Sequence, residues 1–251
     1  MPAHSTGQER RRRQARRRIG YLVGTLAVIA VGVVVTAVVL RQPPNQPARH
    51  DAAATVSPAP ASASARPTPA FSAPAGPLLL PRPARTTNGV GVGYPYTTAG
   101  AIAAAAHYTE EAVTLDEARG AKVAATVAAP SYRTASTDER ASVRALRSSL
   151  GLSEGGRTDG AYATLQAQAY QLRTTSAEGA TVWILGLASA AGPSTSGANR
   201  TVPQATVVPL TWVGGDWRLR QTNARVPDAA VVQPGTTEAY AKGWHDLAIA
   251  D

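Results

Sequence analysis

The chain has 251 residues, a formal net charge of +9, nineteen prolines, one phenylalanine and no cysteine. The absence of thiols excludes disulfides, a cysteine-ligated metal, thiol catalysis and a cysteine-linked lipid anchor. The positive charge would suggest nucleic acid, but residues 1–18 carry seven Arg and one Glu, residues 41–85 five Arg and one Asp, and residues 86–251 thirteen Lys/Arg against fourteen Asp/Glu. The part long enough to bury a core is near neutral, so no basic face is available to neutralise phosphates, and direct nucleic-acid binding is not expected.

In chain order, residues 1–18 read as an arginine-rich cytoplasmic tail. Residues 19–40 are twenty-two residues without a charge, long enough to cross a hydrocarbon core of roughly 30 Å as a helix. Arginine on the N-terminal flank alone orients such a span with its N-terminus in the cytoplasm. The run exceeds a signal-peptide core and no small-residue cleavage site follows closely, so it reads as a retained anchor in the cell membrane, with the bilayer as its first partner. Gly20, Gly24 and Gly32 lie on one stripe of this span; small residues there permit close helix approach and self-association.

Residues 41–85 hold eleven of the nineteen prolines, interleaved with Ala and Ser. Proline removes donors and fixes φ, so this stretch reads as an extended tether. At about 3.1 Å per residue its ceiling is on the order of 140 Å. Residues 86–251 form the folded domain, placed outside the cytoplasm.

That domain opens with a glycine-rich lead-in loop, Gly89 to Pro95. Thr97 or Thr98 caps a helix through the alanine-rich stretch Gly100–Tyr108. Asp116 caps a second helix, Glu117–Ala128, ended by Pro130. Thr137 or Asp138 caps a third, Glu139–Leu150, with Val143, Leu146 and Leu150 on one face and Gly151 as its stop. Period-two alternation from Ala161 to Tyr170 predicts a strand with one small apolar face. Thr181–Leu187 is a continuous apolar strand, and Thr206–Val213 a third, with Pro209 implying an edge or bulge. After the Gly214-Gly215-Asp216 turn, Trp217 and Leu219 face inward on a fourth strand, with Arg218 and Arg220 in water. Thr236–Leu247 reads as a terminal helix. Helices first and an antiparallel meander second make an α+β architecture, with helices packed on one side of a curved sheet.

The hairpin Pro209-Leu210-Thr211-Trp212-Val213-Gly214-Gly215-Asp216-Trp217-Arg218-Leu219, preceded by helices, resembles the nuclear-transport-factor-two-like, cystatin-like cone fold. The opening Gly93-Tyr94-Pro95-Tyr96-Thr97-Thr98-Ala99-Gly100-Ala101 is similar to a class of actinobacterial anchored proteins, some accompanying integrative and conjugative elements. The layout of basic tail, span, linker and cone domain resembles assembly subunits of type IV secretion systems and TcpC-like conjugation proteins. That resemblance implies a non-enzymatic scaffold of a conjugative or secretion apparatus, with envelope or apparatus proteins, and further copies of itself, as partners. The alternative is an anchored lipid- or small-ligand-binding accessory protein of an envelope transport system.

Chemistry-bearing motifs are sparse. Gly151-Leu152-Ser153-Glu154-Gly155 has the G-x-S-x-G spacing but lacks the preceding strand that a nucleophile elbow needs. His107 has no second ligand at helical spacing, Asp216 closes a turn, and no cofactor or metal is expected. Tyr162, Tyr170, Trp183 and Trp212 are the candidate partner or pocket face, since aromatic side chains dominate contact energetics.

Overall fold

In the computed structural model, residues 74–248 are described. The span 19–40, with Gly20, Gly24 and Gly32, and most of the tether lie outside them; among the described residues no helix is long and apolar enough to cross a membrane. Ordered structure begins inside the segment read as tether. Leu78–Leu79 form strand β1, and Leu80 is buried, its N–H donating to the Ala248 carbonyl at 3.1 Å. The lead-in loop is a hairpin, β2 (Arg85–Thr87) and β3 (Val90–Val92). Its turn, Asn88-Gly89, takes positive φ at both residues (56° and 78°), the backbone that a two-residue hairpin turn demands.

Three helices follow. In α1 (Thr98–Ala112) the Thr97 hydroxyl accepts from the Gly100 N–H at 3.0 Å. In α2 (Glu117–Val127) Asp116 accepts from the Ala118 and Arg119 N–H groups at 2.8 and 3.1 Å. Both satisfy donors that a helix start leaves orphaned. The third helix, α3 (Ala135–Ser149), starts four residues before the predicted Glu139. The Thr134 hydroxyl there bonds Asp138 at 2.8 Å instead of capping the backbone.

Three long strands carry the sheet: β4 (Tyr162–Thr175), β5 (Gly179–Ala191) and β6 (Arg200–Val213). Strand β7 (Asp216–Leu219) folds back on β6. The predicted terminal helix is only one turn, α4 (Thr237–Ala241), and the chain then extends as β8 (His245–Ala248). Sheet pairing outcompetes helix there: β8 runs antiparallel to β4 at Ala169 and Tyr170 and parallel to β1, giving the order β1-β8-β4-β5-β6-β7. Pro209 lies one residue beyond the last β6–β7 pair, where no ladder N–H is required on that side. The domain is thus α+β, with helices on one side of a curling, half-barrel sheet.

The sheet buries both faces. On the helix side, Ile102, Tyr108, Tyr170, Ile184, Leu210 and Trp217 pack around the alanines of α1. On the other, Leu185 and Val207 pack under Val226, Ala239 and Trp244 from the C-terminal segment. A register shift around Gln168 divides β4 between them: Ala167 and Tyr170 face the helices, while Ala169 faces the C-terminal segment. The strand therefore does not keep the single small apolar face expected of it, because a bulge inverts the alternation.

Helix α1 is buried all round from Gly100 to Ala106, which its small side chains allow. A Cβ built on Gly100 would lie 2.0 Å from the Pro95 carbonyl oxygen. Gly100→Ala is accordingly expected to cost about 1–3 kcal/mol through overpacking, read as a lower urea midpoint at unchanged slope; an unchanged midpoint would contradict this packing.

Candidate binding cavity

The four aromatic residues expected to share a face are dispersed. Tyr162 is exposed at the start of β4, whereas Tyr170 is fully buried under α1, its phenol pushed up to about 12 by burial. Trp183 lies on the opposite sheet face, 6.4 Å from Trp244 and under the Arg173 guanidinium at 4.2 Å. Trp212 stacks at the hairpin end with Tyr96 (4.6 Å) and Trp217 (5.3 Å). Tyr170 and Trp212 adjoin the helix-side core, Trp183 the opposite face and Tyr162 the solvent, so the four form no common aromatic surface.

The other motifs are structural. Ser153 follows α3, not a strand, and its carbonyl accepts from Arg147 at 2.8 and 3.0 Å. His107 stacks on Tyr94 at 5.8 Å and lies 3.6 Å from Glu110. That carboxylate also accepts from the Ala167 N–H at 2.8 Å, tying α1 to β4. Asp216 is fully buried, accepts from the Trp217 N–H at 2.9 Å and lies 3.5 Å from Arg218. Arg218, expected in water, folds back onto this carboxylate and the Thr126 carbonyl. No group of metal-ligating side chains occurs among the described residues.

The structure opens a different site. A cavity of about 150 Å³ lies between the end of α1, the start of α3 and the β6–β7 region, lined by Tyr108, Tyr132, Glu139, Ser142, Val208 and Arg220 among others. A second hollow of about 80 Å³ adjoins it, sharing Tyr108, Ala112, Tyr132, Glu139 and Leu219 and reaching Val123 and Val127 of α2. Tyr108 is fixed as a wall because its hydroxyl donates to the Trp217 carbonyl at 3.0 Å. The Thr109 hydroxyl donates to Ala105 at 2.8 Å and the Ser142 hydroxyl to Asp138 at 3.2 Å.

Glu139 differs from these neighbours. Its stem packs where α2 comes close at Gly120, and its carboxyl makes no hydrogen bond or ion pair within the described residues. Burial alone pushes that carboxyl up to about 7, because desolvation disfavours the charged form. Tyr132 is pushed up to about 12 by burial and by the adjoining Asp138 and Glu139. The arrangement is a half-closed hollow with two tyrosines, Asp138 and Arg220 in its wall and a half-buried Glu139 carboxyl that has no protein partner among the described residues.

A family model described as a domain of unknown function (DUF8175) matches residues 41–242. The chain belongs to this family. The DUF8175 match takes in the three helices, the strands β4 to β7 and all the cavity walls, and it ends before β8. No curated protein and no solved structure matches the chain.

The sequence carried a signal for Glu139. It precedes Val143, Leu146 and Leu150 by four, seven and eleven residues, which places a carboxylate on the apolar stripe of α3.

Proposed function

We propose that this protein is a non-enzymatic, single-pass envelope protein whose tethered domain serves assembly contacts in a conjugative transfer or secretion apparatus. The observation that carries the reading is the filled interior: Ile102, Tyr108, Tyr170, Ile184, Leu210 and Trp217 occupy the space between α1 and the sheet. Sites for drug-sized ligands typically enclose about 300–1,000 Å³, whereas the cavity at Glu139 has about 150 Å³, room for a side chain and not for a lipid. The alanine-rich helix in the curl of three long bent strands supports the cystatin-like cone assignment within the α+β architecture. The near-neutral charge of residues 86–251 favours protein contacts over nucleic acid, and the uncharged run 19–40 after seven arginines supports the anchor. The rival, an accessory protein binding a small ligand, draws on the cavity at Glu139.

Deleting the gene is expected to lower the frequency of DNA transfer between cells, with restoration by the full-length chain. Unchanged transfer would overturn the conjugation reading. A lipid retained stoichiometrically by the purified full-length chain in native mass spectrometry would favour the rival.

A further inference from the structure

We propose that the cavity at Glu139 binds a single alkyl-guanidinium or alkyl-ammonium group, held by the Glu139 carboxylate between the rings of Tyr108 and Tyr132. Three observations converge. The hollow exists in the folded chain, with a volume of about 150 Å³, close to that of a buried cavity known to accept a benzene ring; a guanidinium on a short alkyl stem is of that size. Three of its hydroxyls donate within the chain, in the Tyr108–Trp217, Thr109–Ala105 and Ser142–Asp138 bonds. One oxygen of the Asp138 carboxylate accepts from the Thr134 hydroxyl at 2.8 Å. The Glu139 carboxyl, an acceptor when ionised, has no hydrogen-bond or ion-pair partner among the described residues.

A ligand that supplies both donors and positive charge complements this half-buried carboxyl, and charge-assisted hydrogen bonds are the strong ones. Tyrosine faces add attraction for a cation. A neutral apolar guest would offer the acid no donor, and an anion would be repelled by it. Burial holds the carboxyl up to about 7, so binding should draw a proton off it and strengthen from pH 6 to pH 8. The other charged or titratable groups facing the hollow are Tyr108 from α1, Tyr132 just before α3, Asp138 within α3, and Arg220 after β7. The tyrosines titrate far above that window, because burial pushes both phenols up. The inference stands apart from the transfer role, since it concerns binding by the purified protein. Basic side chains and free small amines share this chemistry.

The test is an NMR titration of the full-length chain with butylguanidine and with butylurea, which has the same shape and no charge. Butylguanidine is expected to saturate shifts at Tyr132 and Ser142 at least about tenfold more tightly than butylurea, and Glu139→Gln should abolish that preference. Equal binding of the two, binding of neither, or a preference that survives Glu139→Gln would each overturn the proposal. Ser142→Leu, which fills the hollow while keeping Glu139, should abolish binding as well; retained binding places the cation elsewhere and overturns it. A third probe, acetyl-Gly-Arg-Gly-amide, separates the sources. Binding as tight as butylguanidine assigns a protein side chain, and exclusion of the peptide with retention of butylguanidine assigns a free amine.

Discussion

Replacing Arg147 with methionine is expected to destabilise the domain by about 2–4 kcal/mol. Arg147 is only 3 % exposed, an unusual place for a residue that is always charged. Its guanidinium donates to the Leu115 carbonyl at 2.8 Å, twice to the Ser153 carbonyl, and to the Gly156 carbonyl. One side chain therefore ties the α1–α2 connection to the loop that leaves α3. Methionine keeps most of the packing volume but removes every donor, stranding the buried Leu115 carbonyl and releasing the 151–160 loop. Lysine should rescue poorly, because a point charge on a flexible stem cannot span three carbonyls in a fixed fork. Urea denaturation gives the magnitude, and amide exchange in residues 151–160 should accelerate first. A loss below about 1 kcal/mol, or full rescue by lysine, would show that the carbonyl network carries no such weight.

The second large effect is a dependence on pH. The Glu139 carboxyl sits near 4.5 in the unfolded chain and at about 7 in the folded one. Below about pH 4.5 it is protonated in both states and exerts no differential effect. Between those values the folded chain holds a proton that the unfolded chain has lost, so stability falls as pH rises. Above about pH 7 the full penalty applies, up to about 3 kcal/mol. Glu139→Gln, neutral at every pH, should match the natural protein at pH 4.5 and exceed it by roughly 2–3 kcal/mol at pH 8. The difference between the two proteins isolates Glu139 from other carboxylates that titrate in the same range. Parallel pH profiles for the two proteins would show that the carboxyl is solvated in the folded state.

These two side chains also mark where sequence reading stops. Helix starts at Thr97 and Asp116 are legible because a cap is a local event: one side-chain oxygen meets N–H groups two or three residues on. The helices-then-meander order is legible for the same reason, since hydrophobic period is written along each element. The C-terminal stretch misleads because its apolar spacing suits a helix, while β4 and β1 offer ladder partners that only the folded chain brings near. Tyr162, Tyr170, Trp183 and Trp212 likewise read as one aromatic group, and the folded sheet places them in different surroundings.

By itself, the sequence determined the segregation of charge into residues 1–18 and 41–85, the α+β order, the absence of thiol chemistry, and most helix ends. Each depends on composition or on neighbours within a few residues. Only the tertiary structure decided that Arg147 is a buried tie and that Asp216 is enclosed beside Arg218. It alone brings Tyr108 to Tyr132 and Glu139, across the whole of α2, around one hollow. Burial is the physical reason: a charge acquires its energetic meaning from what replaces its water, and that is settled by chain segments distant in sequence.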